Sequence, residues 1–127
     1  MEAGQSQGRA SMGIWDRGRL RHSVGIETKG GRFTPLIPKG ASLPASLTET
    51  FTTADPNQPS IQITAFQGED PRVSFNKRLG MFQVTEIPPA GPGEPLIHVT
   101  FHVDAQGTLS ITARDQGTGQ DLPVLRR

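Results

Sequence analysis

A chain of 127 residues, 33% apolar and 20% charged, has room for a single domain, and no run of it is apolar for long enough to cross a bilayer. The absence of Cys excludes disulfides, thiolate metal sites and a thiol nucleophile. The net charge of +1 is unevenly placed: Arg9, Arg17, Arg19 and Arg21 face only Glu2 and Asp16 in residues 1–22, and the remainder is slightly acidic. A nucleic-acid surface needs clustered cations on folded structure with aromatics for stacking, so neither nucleic acid nor membrane is an expected partner. The lack of Cys suits a reducing compartment. No basic segment followed by an apolar stretch opens the chain, so a cytoplasmic location is the expectation.

Residues 1–22 show no sustained period of two or 3.6 and read as a disordered tail, with the lone Trp15 inside it. The domain is expected over 23–127. Ile26 to Thr28, the Gly30-Gly31 pair, and Phe33 to Ile37 read as a hairpin around a glycine turn. Leu47, Glu49 and Phe51 alternate with threonines, and Ile61, Ile63 and Ala65 alternate with Gln62 and Thr64. Phe82 and Val84 form a further strand stopped by Pro88-Pro89. Ile97 to Val103 alternates strictly, passes through Asp104-Ala105-Gln106-Gly107, and continues in Leu109, Ile111 and Ala113, which is a hairpin. Leu122 to Leu125 reads as a Pro-interrupted edge strand. Short strands at turn-punctuated spacing, with 15 Gly and 11 Pro, predict an all-β chain folded as a two-layer antiparallel β-sandwich.

Residues with catalytic chemistry are sparse. His98 and His102 share the polar face of one strand, about 13 Å apart at 3.3 Å per residue, too far to ligate one metal, and read as a solvated face. His22 has no partner in view. Gly91-Pro92-Gly93 is a turn rather than a phosphate loop, and Asp104 to Gly107 holds too few carboxylates for calcium. No nucleophile elbow, P-loop, zinc motif or carboxylate pair occurs, so neither catalysis nor a metal site is expected.

Several short strings, in order, carry a family resemblance. Gly25-Ile26-Glu27-Thr28 with Gly30-Gly31 comes first, then Leu36-Ile37-Pro38-Lys39 with Leu43-Pro44. Phe51-Thr52-Thr53-Ala54-Asp55, Phe66-Gln67-Gly68-Glu69, and Asn76-Lys77 with Leu79-Gly80 follow. Ile87-Pro88-Pro89-Ala90, Val99-Thr100-Phe101, Asp104 to Gly107, Ala113-Arg114-Asp115 and Gly117-Thr118-Gly119 complete the series. From Ser23 to Asp121 the chain resembles the substrate-binding β-sandwich of the Hsp70 (DnaK-type) chaperones. The resemblance implies that Ile26, Phe51, Ile61, Ile63, Ile97 and Val99 line a pocket for an apolar peptide side chain, with Lys29 and Ala54 beside the bound peptide. Each of the six apolar residues is equally a core position on an alternating strand.

Departures from the family accompany these matches. Trp15-Asp16-Arg17-Gly18-Arg19-Leu20-Arg21-His22 stands where an acidic, leucine-rich linker is expected. Lys29 replaces a usual Met or Ala, Phe75 a usual acidic residue, and Pro92 a common Arg that touches the helical lid. The resemblance places ATPase activity in a nucleotide-binding domain absent from this chain, and the lid is absent as well. The expectation is therefore a non-enzymatic module that binds no ATP and no other cofactor. It would hold extended apolar segments of unfolded polypeptides, with an ATPase domain or co-chaperone acting in trans. The competing reading is a vestigial or structural sandwich that self-associates through its tail or edge strands, or docks on another chain.

Overall fold

The computed structural model describes residues 18–126 together with the backbone of Trp15 and Asp16. The described residues form eleven strands: β1 (Trp15–Asp16), β2 (Arg19–Leu20), β3 (Val24–Thr28), β4 (Arg32–Ile37), β5 (Ala45–Phe51), β6 (Ile61–Gln67), β7 (Lys77–Val84), β8 (Ile97–Val103), β9 (Leu109–Asp115), β10 (Asp121–Leu122) and β11 (Val124–Arg126). A single 3₁₀ turn at Val73–Phe75 is the sole helical element among the described residues. Every pairing is antiparallel: a five-stranded sheet in the order β11-β7-β6-β3-β4 faces a four-stranded sheet in the order β10-β9-β8-β5, and β1 and β2 pair separately. The fold is the expected β-sandwich.

Alternation in the sequence becomes the two faces of each sheet. In β8 the odd residues are buried and the even ones half-exposed, and β9 repeats the pattern with Leu109, Ile111 and Ala113 inward. Val24, Ile63, Phe82 and Val84 from one sheet meet Ile97, Val99, Phe101 and Val103 from the other in one apolar cluster. Burial of this apolar surface is the main favourable term, at roughly 25 cal/mol per Å². On the outer face of the four-stranded sheet His102 is hydrogen-bonded to Ser46 at 2.6 Å and His98 to Thr50 at 3.3 Å, with a Thr48–Thr100 pair between them. Both histidines thus belong to a polar cross-strand ladder.

Close approach explains Gly25: a Cβ there would run into the Thr34 carbonyl oxygen on the neighbouring strand. At the turn between β3 and β4, Gly30 and Gly31 take φ values of 83° and 74°, which favour glycine. Pro123 divides the expected last strand in two. Leu122 pairs with Ala113 in the four-stranded sheet, whereas Val124 pairs with Val84 in the five-stranded one. Proline has no amide hydrogen to offer a ladder, so the chain changes sheet there.

Packed structure extends N-terminal to Ser23, where the sequence placed the boundary. Leu20 is 2% exposed and belongs to the apolar cluster. Its backbone accepts a hydrogen bond from the Gly40 amide and donates one to the Ala41 carbonyl, both at 2.8 Å. A lone leucine among arginines gives no periodic signal, so residues 18–22 read as tail. The expectation of disorder for residues 1–14 and Arg17 lies outside the described residues.

Candidate functional site

Antiparallel pairing fixes which loops share an end of the sandwich. Phe51 at the end of β5 pairs with Ile97 at the start of β8, and Ile97 also pairs with Asp115 at the end of β9. Ile61 at the start of β6 pairs with Val84 at the end of β7, and β3 runs antiparallel to β6, so Thr28 lies at the same end. The turn 29–31 and the loops 52–60, 85–96 and 116–120 therefore cluster together.

All eight residues singled out from the sequence lie at or near this end. Ile26, Ile61 and Ile63 come from the five-stranded sheet, and Phe51, Ile97 and Val99 from the four-stranded one; all six belong to, or pack against, the shared apolar cluster. Their accessibility differs. Ile97 and Val99 are 0% exposed and Ile26 and Ile63 are buried, whereas Phe51 and Ile61 are half-buried at the rim. The Phe51 ring lies 6.4 Å from that of Phe101, so its inner side is held by the core. Lys29 and Ala54 are exposed, one on the hairpin turn and one on loop 52–60.

Loops 52–60 and 85–96 are tied together. The Asn57 amide donates to the Ala90 carbonyl and the Gly93 amide to the Thr53 carbonyl, both at 2.8 Å. The Thr52 hydroxyl donates to the Pro95 carbonyl at 2.7 Å, and the Ile87 amide to the Pro59 carbonyl at 3.0 Å. Gln58 caps its own loop, its Oε1 accepting from the Ala54 amide at 3.0 Å and its Nε2 donating to the Ser60 carbonyl at 2.8 Å. These bonds make the two loops one composite wall. The 29–31 turn has its own tie on the other side, where the Val73 amide donates to the Gly31 carbonyl at 3.0 Å.

Sequence reasoning missed this wall because its bonds use backbone groups, which every residue type carries. It also missed Thr53, whose buried hydroxyl has no hydrogen-bond partner among the described residues. A third omission is a cavity of about 470 Å³ at the same end, lined by Pro88, Ala90, Glu94, Leu96 and Asp115 among others. Leu96 is exposed there although it precedes the most regular strand. Asp115 is buried, and its carboxylate accepts the Thr118 amide at 3.2 Å and hydroxyl at 2.8 Å, closing loop 116–120.

The opposite end has its own electrostatic anchor. Glu69 accepts hydrogen bonds from the Ser23 amide at 2.8 Å and hydroxyl at 3.0 Å, with the His22 imidazole at 3.3 Å. Partial burial pushes the Glu69 carboxyl up, but the Ser23 bonds and the neighbouring imidazole outweigh it and hold the group below the usual carboxylate range.

The arrangement offers an apolar rim between two backbone-rich walls. The family model described as Hsp70 protein matches residues 16–124, which is most of the chain. The chain belongs to the Hsp70 family.

Proposed function

We propose that this sandwich is the substrate-binding module of a DnaK-type Hsp70 and holds extended apolar segments of unfolded polypeptides across the end bearing loops 29–31 and 52–60. The observation that carries the reading is the convergence of six apolar residues from both sheets at that end, with Phe51 and Ile61 reaching the surface. Such a site uses no reactive group, and its action is binding rather than catalysis. A buried Leu-like side chain contributes about 1.5–3 kcal/mol. Each backbone hydrogen bond to an extended segment adds about 0.5–1.5 kcal/mol and is indifferent to sequence. After ordering costs, micromolar affinity is expected, about −8 kcal/mol.

A fluorescent peptide with a central Leu tests this by anisotropy. Saturable micromolar binding that Ile61→Asp weakens at least tenfold is the expected result. No binding at high micromolar protein, or binding indifferent to Ile61→Asp, overturns the site assignment.

One feature favours self-association instead. Among the described residues β5 is an edge strand, paired to β8 along its whole length and to no other strand, and Phe75 is 72% exposed. That reading predicts a concentration-dependent shift to larger species on size exclusion, abolished by a Lys in place of Thr48.

A further inference from the structure

Cations collect on one wall of this end. Lys29 lies on the β3–β4 turn, Arg32 begins β4, and Arg72 is joined to Arg32 by an isolated antiparallel bridge. Pairing of Ile26 with Thr34 and of Thr28 with Arg32 puts all four on one face of the hairpin, because side chains alternate along a strand. The Thr28 and Thr34 hydroxyls, 3.1 Å apart, mark that shared face. The face that carries Ile26 into the apolar cluster therefore continues outward through Thr28 to Arg32, and the bridge puts Arg72 on the same side. A cavity of about 710 Å³ opens here, lined by Gly30 to Thr34 and Pro71 to Ser74.

Arg32 and Arg72 are both exposed, and among the described residues neither guanidinium has a hydrogen-bond or ion-pair partner. The nearest acid in sequence, Asp70, turns a carboxylate oxygen to the Arg72 amide at 2.9 Å instead. Like charges set opposite one another across a strand pair repel, and an anion between them relieves that repulsion. The planar fork of arginine matches a carboxylate. The facing wall of loops 52–60 and 85–96 carries Asp55, Glu86 and Glu94, and among the described residues none of these carboxylates is paired with Lys29, Arg32 or Arg72.

We propose that Arg32 and Arg72 form a subsite for the carboxylate of an Asp or Glu flanking the bound apolar segment, so that this sandwich selects acidic-flanked peptides. The inference rests on the peptide-binding reading above. Its test uses the full chain and three fluorescent peptides that share a Leu-centred core and carry Glu, Gln or Lys flanks. The expected order is Glu tightest and Lys weakest, with about a fivefold step from Gln to Glu that shrinks at high salt. In R32Q/R72Q the Glu and Gln peptides bind alike, at the affinity of the Gln peptide for the unaltered protein, and R32K/R72K restores part of the step. Equal affinity for all three peptides, or an R32Q/R72Q variant that loses the Gln and Glu peptides equally, overturns the subsite. Failure of every peptide to bind overturns the peptide-binding reading and this inference with it.

Discussion

Where β3 and β9 begin, the connections 68–76 and 104–108 are each tied by single side chains, whereas the opposite end carries loops 52–60 and 85–96. At the first end Asp104 accepts the Gln106 and Thr108 amides, both at 2.9 Å, and Glu69 holds Ser23. At the second, loops are tied chiefly to each other, and the apolar cluster comes to the surface at Phe51 and Ile61. The contrast separates two jobs that one core supports. One end fixes Ser23 and the β8–β9 turn through Glu69 and Asp104, and the other presents hydrogen-bonded loops over an apolar floor.

Removing what the ends share is the strongest way to break this contrast. Phe101 lies in the middle of β8, 1% exposed, and Phe101→Ala leaves a cavity between the sheets. A loss of about 3–5 kcal/mol is expected in urea denaturation. At the first end, Asp104→Ala removes the acceptor for two amides and is expected to cost about 1 kcal/mol, with peptide affinity unchanged. At the loop end the sign reverses. Thr53→Val replaces a buried hydroxyl that has no partner with an isosteric apolar group, so stability is expected to rise by up to about 1 kcal/mol in the same assay.

The smallest effect is the pH dependence of the Glu69 anchor. The folded carboxyl titrates below its unfolded counterpart, so its contribution is present at neutral pH and above the unfolded value. It is lost as the pH falls through the lowered folded value. Thermal melts from neutral pH into the acid range are expected to show a shallower acid decline in Glu69→Gln than in the unaltered protein.

Strand positions were legible from the sequence because β8 and β9 alternate without exception, and period two maps directly onto two faces. The apolar half of the candidate site was legible for the same reason: Ile61, Ile63, Ile97 and Val99 are inward residues of such strands. Which of them stay accessible was not, since exposure at Phe51 and Ile61 depends on how the partner sheet and loops cover them. Leu20 escaped notice because one apolar residue in a basic segment has no period, and its burial depends on pairing with residues 40–43. The cationic corner was equally hidden. Arg32 and Arg72 are distant in sequence and become neighbours only because the loop after β6 folds back along β4.

Amide chemical shifts of the ¹⁵N-labelled chain, followed while a Leu-centred peptide is titrated, test peptide capture at the loop end most directly. Shifts concentrated in residues 29–31, 51–61 and 96–99, with Asp104 to Thr108 and Ser23 unmoved, are the expected result. Shifts centred on the Asp104 turn or the Glu69 anchor, or no shifts at saturating peptide, would contradict it.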